Sequence, residues 1–373
     1  MSKAKLELST VRRKMRDIRK RVDRRYRRLA VRNMVLAMQS RERTSRFVSG
    51  GNRFVLFLVP GMDLVNGGVM SICSIASETG RLLQEHGVSV AVCTAYHEPR
   101  MLRYTKFKND IDILSLRDLL PRFPQGSDVL VHIPEMFVKA FVSDCPSLYR
   151  TRADLHWRFN ILLQNIDLIP SKQAIEAIQA IGPTTATTAH KASTSAAHQL
   201  GCPVHYLSWG LYPEKFERAD YSGKQKLIAI SPDPHPAKAG IVRRMSETMP
   251  DYRIIEIRNM SYEAYKRVIR TAKFMFTFGE GLDGYFVESI FSGSIAMALF
   301  NTRFFTPEYD GLDGVFPNPE HALAQVHEFM MSADSEAAYQ AIAERQHKLV
   351  AKDFNRDKFV GNIRSFYQQY YLA

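Results

Sequence analysis

Two glutamates on either side of a glycine-containing turn are the residues of this chain whose spacing most clearly points to chemistry. Glu280 follows an apolar run, and Glu288 lies further on, one turn inside a predicted helix. Carboxylates accept hydrogen bonds from neighbouring hydroxyls such as those of a ribose or a pyranose. Gly279, Gly281 and Gly284 allow close approach of the backbone to phosphate oxygens. The spacing predicts a site for a ligand that carries hydroxyls and phosphate.

The segments around this pair are predicted to form a strand, a loop, a helix and a second strand. The apolar runs Phe274–Phe278 and Ile295–Phe300 are typical of buried strands, and Gly293 is placed to end the short helix between them. In an open parallel sheet, ligands bind outside the carboxyl ends of the strands, where helix N-termini present free N–H groups. The alternative is an ordinary βαβ unit with two solvated glutamates, and the order of the elements favours the ligand site.

From residue 53 onward, strand-like and helix-like segments alternate, which predicts an α/β fold with doubly wound parallel sheets. A predicted helix, Val69–His86, follows the pair Gly67-Gly68. The expected strands of a first sheet are Arg53–Val59, Val88–Thr94, Ile111–Leu116, Asp128–His132, Asn160–Leu163, Thr184–Ala189 and Val204–Leu207. A second sheet begins with Lys226–Ser231, and a helical tail covers Pro319–Met331, Glu336–Leu349 and Lys358–Tyr370. The length of 373 residues suits two domains of ordinary size.

The formal net charge of +13 is concentrated at the N-terminus. Residues 1–50 hold 17 of the 51 Lys and Arg and 4 of the 38 Asp and Glu, so residues 51–373 carry 34 of each sign. The balanced globular part gives no reason to expect a polyanionic substrate such as nucleic acid. We found neither an apolar run of the ~20 residues that span a bilayer nor a signal peptide, so a cytoplasmic location is expected.

The basic segment, residues 1–50, is predicted to form an amphipathic helical arm. Its apolar residues recur at spacings of three and four: Leu8, Val11, Met15, Ile18, Val22, Tyr26 and Leu29. A helix lying on an anionic membrane surface fits this charge and this stripe. A coiled coil with a second copy, a nucleic-acid contact and a solvated tail are the alternatives. We favour the membrane surface, at the inner face of the cell membrane.

Glu280, Glu288 and the following Ser289–Ala296 resemble the paired-glutamate signature of retaining GT-B glycosyltransferases, and the family-4-like or group 1 enzymes are the nearest. The resemblance implies two Rossmann-like domains that face a cleft. We place the first domain at 51–209 and the donor domain at 210–352. A C-terminal helix over 353–373 is expected to cross back to the first domain.

The resemblance also implies roles for individual residues. Glu288 would bind the ribose of a nucleotide, and Glu280 would hold hydroxyls of the transferred sugar. The backbone between them would face the sugar and diphosphate, namely Gly281, Leu282, Asp283, Gly284 and Tyr285. The pair Gly67-Gly68 resembles the family's glycine turn near the diphosphate and acceptor.

The predicted phosphate loop resembles that of the family less completely, and a catalytic histidine is a separate prediction. Lys238 corresponds to the lysine of the family's phosphate loop, but Asp233 stands where the family has an arginine. An arginine offers a planar fork to a diphosphate, whereas an aspartate repels it. His132 is the best candidate for a catalytic contact to the sugar or acceptor, because it ends a predicted strand beside Glu135, and His190 is a weaker candidate.

The function implied is retaining transfer of a sugar from a nucleotide-sugar donor to a glycan or lipid-linked acceptor, in bacterial surface polysaccharide synthesis. No metal and no cofactor beyond this substrate are expected. A homo-oligomer is left open. The alternative is a GT-B module with little or no activity that serves as a binding or scaffold subunit of a polysaccharide assembly, and the aspartate at 233 keeps it open.

Overall fold

A computed structural model describes residues 42–61, 67–95, 113–144, 151–258 and 260–372. The first described element is a helix over residues 42–48 (α1). The predicted amphipathic stripe of the arm lies outside the described residues.

Within these residues, seven parallel strands form a first sheet in the order β3-β2-β1-β4-β5-β6-β7. The strands are β1 (Arg53–Val59), β2 (Ser89–Thr94), β3 (Ile113–Ser115), β4 (Asp128–Pro134), β5 (His156–Leu163), β6 (Thr184–Thr188) and β7 (Val204–Tyr206). The chain builds outward from β1 to β3 and then crosses to β4 on the other side. The strand order therefore reverses between β1 and β4, and their carboxyl ends border the crevice in which such sheets bind ligands.

Helices cover both faces of the first sheet, so its central strand is buried on both sides. Every residue of Phe54–Val59 has no exposed surface, as expected for the continuous apolar run of a parallel strand. The helices of this half are α2 (Gly67–Leu83), α3 (Leu116–Leu119), α4 (Val138–Asp144), α5 (Lys172–Gln179) and α6 (Thr194–Ala197).

A second parallel sheet has the order β12-β11-β10-β8-β9. Its strands are β8 (Gln225–Ile230), β9 (Arg253–Glu256), β10 (Ala272–Thr277), β11 (Ile295–Leu299) and β12 (Val315–Phe316). The helices that follow β8 along the chain are α7 (Lys238–Thr248), α8 (Tyr262–Thr271), α9 (Gly284–Phe291), α10 (Pro319–Ser332), α11 (Glu336–Asp353) and α12 (Arg356–Tyr370). The predicted α/β class with two doubly wound sheets is confirmed.

The last helix, α12, returns to the first sheet. Ile363 and Phe366 are fully buried in the same apolar cluster as Phe57 of β1. Just beyond the helix, the Tyr371 hydroxyl donates to the carbonyl oxygen of Phe54 over 3.2 Å. These contacts attach the end of the chain to the first half of the molecule.

The two sheets meet through segments that follow the carboxyl ends of their strands. The Ser193 hydroxyl, beyond β6, donates to the carbonyl oxygen of Arg303, beyond β11, over 2.7 Å. The Arg303 guanidinium forms an ion pair with Asp167, which follows β5. Phe304 is buried in the apolar core of the first half. The carboxyl edges of the two sheets therefore face each other.

Among the described helices, none has the length and apolarity to cross a membrane.

Candidate active site

Glu280 lies where the two carboxyl edges meet. It comes three residues after β10 ends, and its Oε2 is 3.1 Å from Nε2 of His190 in the first half. About a quarter of the Glu280 side chain is exposed, whereas His190 is almost fully buried. Trp209 and Phe304 pack edge-on against the His190 ring, at centroid distances of 4.8 and 4.9 Å. His190, the weaker of the two histidine candidates, is thus held directly against the predicted catalytic glutamate.

The turn after Glu280 needs a glycine at position 281. Gly281 has φ of +87°, a conformation that residues with a side chain rarely adopt. A Cβ atom there would overlap the ring of Phe305 and lie 2.9 Å from the carbonyl oxygen of Leu299. The backbone of this turn is therefore fixed by the packing beneath it.

We expect Gly281→Ala to lower the free energy of unfolding by about 1–3 kcal/mol, because it combines a strained φ with a steric overlap. Gly284→Ala is the matched control, since its Cβ would lie at an ordinary 3.5 Å from Glu288 Oε1. Alanine also suits the helical position 284 better than glycine. Urea denaturation of both variants checks this, and equal stability of the two would contradict it.

Asp283 caps helix α9. Its Oδ1 accepts the backbone N–H of Phe286 over 3.0 Å, and its Oδ2 accepts the hydroxyl of Thr277. Since the cap engages Phe286, the N–H groups of Gly284 and Tyr285 are left without a partner inside the helix. The helix dipole adds a partial positive charge there. The N-terminus of α9 can therefore receive an anionic or polar group.

Glu288 lies one turn further into α9 and is buried, with 7% of its surface exposed. Its Oε2 accepts a hydrogen bond of 3.4 Å from the hydroxyl of Tyr262. Burial raises the pKa of Glu288 to about 8. Burial likewise raises the pKa of Asp283 to about 8, and the charges of Asp233 and Glu280 contribute in the same direction.

These raised pKa values predict a pH-dependent stability. The native state holds protons on Asp283 and Glu288 that the unfolded chain releases, so the free energy of unfolding falls as the pH rises between about 4.5 and 8. Melting temperatures from pH 5 to pH 9 should fall, and Glu288→Gln should reduce the slope. Glu85→Gln, at an exposed position, is the control. A melting temperature that rises with pH over this range would contradict the prediction.

Lys238 is engaged by groups of the protein itself. Its ammonium donates to the carbonyl oxygens of Ser231 and Asp233, over 2.7 and 3.1 Å, and to Glu256 Oε1 over 2.6 Å. An ammonium has three donors, so all of them are used. The predicted phosphate contact requires Lys238 to exchange one of these acceptors for a phosphate oxygen.

Asp233, in the arginine's place, lies beside the glycine turn. A Cβ atom at Gly279 would be 3.0 Å from Asp233 Oδ2 and 3.1 Å from Asp283 Oδ2. The buried Oδ2 of Asp233 has no hydrogen-bond partner among the residues that the structure describes. Two carboxyl groups therefore flank Gly279 where the resemblance expects the diphosphate.

The structure places His132 away from the carboxyl edge, which corrects its predicted role. Strand β4 continues to Pro134, so His132 is inside the sheet and has no exposed surface. Its Nε2 is 2.8 Å from the Tyr367 hydroxyl, and its Nδ1 is 2.9 Å from Nδ2 of Asn160. Burial lowers the pKa of His132 to about 3, so the ring is neutral at physiological pH. His132 is therefore a hydrogen-bonded core residue.

Gly67 and Gly68 open helix α2, near the switch point of the first sheet. Residues 62–66, which precede them, lie outside the described residues. The side-chain amide of Gln164, beyond β5, donates to the carbonyl oxygen of Gly68 over 2.8 Å. Glu135, which we did not predict as a site residue, follows β4 at the same edge and is buried. Its position directly after a strand was the signal that could have identified it.

No protein-family model matches the chain, and no curated protein matches it. Several solved structures are similar to this chain. HepE from Anabaena, in complex with UDP-glucose, is 11% identical with a TM-score of 0.56, over 85% of this chain and 99% of that chain. The sucrose-phosphate synthase of Thermosynechococcus elongatus is 8% identical with a TM-score of 0.54, over 86% of this chain and 99% of that chain. A mutant of the phage T4 protein BGT, in complex with UDP-glucose, is 12% identical with a TM-score of 0.51, over 84% of this chain and 99% of that chain. This chain has the GT-B glycosyltransferase fold, as the resemblance implied.

Proposed function

We propose that this chain is a retaining glycosyltransferase that moves a sugar from a nucleotide-sugar donor to a glycan or lipid-linked acceptor. The observation that carries the proposal is the placement of Glu280 and Glu288 on either side of a glycine turn at a helix N-terminus, at the edge where the two sheets meet. Similar structures were solved with UDP-glucose bound. That is consistent with a donor site here.

In this proposal, each residue of the site binds a different part of the donor. Glu288 holds the ribose hydroxyls, and Glu280 holds hydroxyls of the transferred sugar. The N–H groups of Gly284 and Tyr285 stabilise charge that develops on the leaving diphosphate. Positioning and electrostatics supply most of the rate, with no protein nucleophile. In a retaining transfer by front-face attack, a donor phosphate oxygen takes the proton of the acceptor.

Binding of a nucleoside diphosphate tests the proposal first. A ligand that binds only the native state raises the melting temperature. We expect UDP, GDP, ADP or dTDP to raise it in a concentration-dependent way, and Glu288→Ala to require a higher nucleotide concentration for the same shift. No shift with any of the four would argue against a donor site.

The alternative of an inactive GT-B binding module is favoured by one observation, the carboxyl groups of Asp233 and Asp283 beside Gly279. If the site does bind a diphosphate, removing the negative charge of Asp233 should strengthen binding. We expect Asp233→Asn to tighten the Kd of the nucleoside diphosphate about 10-fold, since a charge a few ångströms away near the surface contributes about 1–2 kcal/mol after screening. Calorimetry measures this. Asp251→Asn, an exposed aspartate on the far end of the sheet, is the control. An unchanged Kd in Asp233→Asn would mean that no phosphate lies near position 233.

From the sequence we infer three further properties. They are transfer without a metal, a role in bacterial surface polysaccharide synthesis, and peripheral attachment to the inner face of the membrane through residues 1–50. Turnover that persists in EDTA would support the first. Co-sedimentation of the full chain, but not of a chain lacking the arm, with anionic vesicles would support the third.

A further inference from the structure

We propose that Glu135 is the residue of the first half that binds the attacking hydroxyl of the acceptor and orients it toward the donor sugar. This inference rests on the proposed glycosyl transfer. Glu135 directly follows β4, and β4 and β1 border the switch point of the first sheet. Ligands of doubly wound sheets bind outside the carboxyl ends of the strands at this point.

The Glu135 carboxylate is buried and fixed, with 6% of the residue exposed. Its Oε2 accepts the backbone N–H of Gln164, and its Oε1 that of Asn165, both over 3.2 Å. Each oxygen keeps a second lone pair for a hydroxyl donor. Among the described side chains, none donates a hydrogen bond to it. The carboxylate is thus oriented by the backbone, and no described side chain uses its remaining acceptor capacity.

One contact and one electrostatic effect relate Glu135 to the proposed donor site. Gln164, which holds the carboxylate, also donates through its side chain to the carbonyl oxygen of Gly68 at the start of α2. From the second half, the charge of Glu280 acts on the Glu135 carboxyl group. An acceptor hydroxyl bound to Glu135 would therefore lie near the start of helix α2, at the carboxyl edge that faces Glu280 of the second half.

The two histidine candidates are already engaged by other groups. His132 is hydrogen-bonded inside the core, and His190 is held against Glu280. Burial, with a smaller contribution from the charge of Glu280, raises the pKa of Glu135 to about 7. The group therefore changes charge near neutral pH, and only its ionised form has every lone pair available to accept a hydroxyl.

A purely structural role is the competing explanation, because the carboxylate also connects the ends of β4 and β5. The two roles differ in what the isosteric variant Glu135→Gln changes. A structural clamp affects the melting temperature and every activity alike. Loss of an acceptor-orienting residue changes turnover and its pH dependence, whereas the nucleotide affinity remains unchanged.

The test measures release of the nucleoside diphosphate from UDP-, GDP-, ADP- and dTDP-sugars, with n-octyl β-D-glucoside or water as the acceptor probe. For Glu135→Gln we expect turnover to fall about 100-fold, as for a misplaced reacting group. The Kd of the nucleoside diphosphate should stay within about threefold, because the interactions removed are not with the nucleotide. In the wild type, turnover should rise through about pH 7, and this rise should be absent in the variant.

Asp334→Asn is the matched control, since it also turns a hydrogen-bonded carboxylate into an amide, but next to Lys273 and away from the carboxyl edges. It should lower the melting temperature and retain both the turnover and the pH profile. The inference is overturned if Glu135→Gln keeps wild-type turnover, or if it loses turnover with the pH profile unchanged. A wild-type chain that neither binds a nucleoside diphosphate nor releases one contradicts the proposed function itself, which separates the two failures.

Discussion

Replacing Glu280 by alanine should lower glycosyl transfer about 100- to 1,000-fold, because an interaction that holds the reacting sugar is lost. The affinity for the nucleoside diphosphate should change less than about threefold, because Glu280 lies before the glycine turn and away from the ribose-binding Glu288. Steady-state turnover and calorimetry on the same variant check both halves of this prediction.

His190 provides the control for the Glu280 prediction. Its Nε2 lies 3.1 Å from the carboxylate, so His190→Gln, which retains a donor, should lose less turnover than His190→Ala. Equal losses of nucleotide affinity in Glu280→Ala and Glu288→Ala would contradict the division of roles. So would a Glu280→Ala variant with wild-type turnover.

Replacing Glu288 by alanine should weaken nucleotide binding about 10- to 100-fold, because the carboxyl group is largely protonated near neutral pH and two hydrogen bonds of about 0.5–1.5 kcal/mol each would be lost with a ribose diol. The loss should be much smaller for a 2′,3′-dideoxy nucleoside diphosphate, which lacks the hydroxyls that Glu288 would hold. Calorimetry with the two nucleotides on the wild type and the variant measures this difference. If Glu288→Ala weakens both ligands equally, the carboxylate does not contact the ribose.

A fall in affinity could also follow from a damaged fold, and the structure provides a check. Glu288 is buried and its Oε2 contacts Tyr262, so Tyr262→Phe removes that neighbouring hydroxyl and leaves the carboxylate. We expect Tyr262→Phe to retain most of the nucleotide affinity. The melting temperature of Glu288→Ala without ligand shows whether the variant is folded.

Much of this fold is predictable because its strands are buried on both sides. Such strands appear as uninterrupted apolar runs, and Arg53–Val59 was predicted with the bounds it has. The edge strands β9 and β12 were not predicted. β9 has charged residues at both ends, and β12 has two residues, so neither gives a long apolar run.

The prediction of His132 as a catalytic residue was wrong because the predicted end of strand β4 was wrong. The predicted strand ended at His132, whereas β4 continues to Pro134 because Ile133 and Pro134 pair with β5. Those two residues place His132 inside the sheet and bring Glu135 to its edge. The apolar pattern around a single histidine cannot fix a strand end to within two residues.

The interactions of His190 and Lys238 depend on the tertiary structure. His190 meets Glu280 only because the carboxyl edges of two sheets face each other, and these residues are far apart in the sequence. Lys238 meets Glu256 because β8 and β9 are neighbours, and β9 was not predicted. Local spacing identified Glu280 and Glu288, since both belong to one strand–loop–helix unit.

The most direct test of the central claim is to incubate the wild-type chain with a panel of nucleotide sugars and follow release of the nucleoside diphosphate, with and without n-octyl β-D-glucoside, beside Glu280→Ala. We predict release from at least one donor by the wild type and a loss of about 100-fold or more in the variant. Binding of a nucleotide without release from any donor would contradict catalysis and support the inactive module. Equal release by both proteins would contradict the assignment of the site.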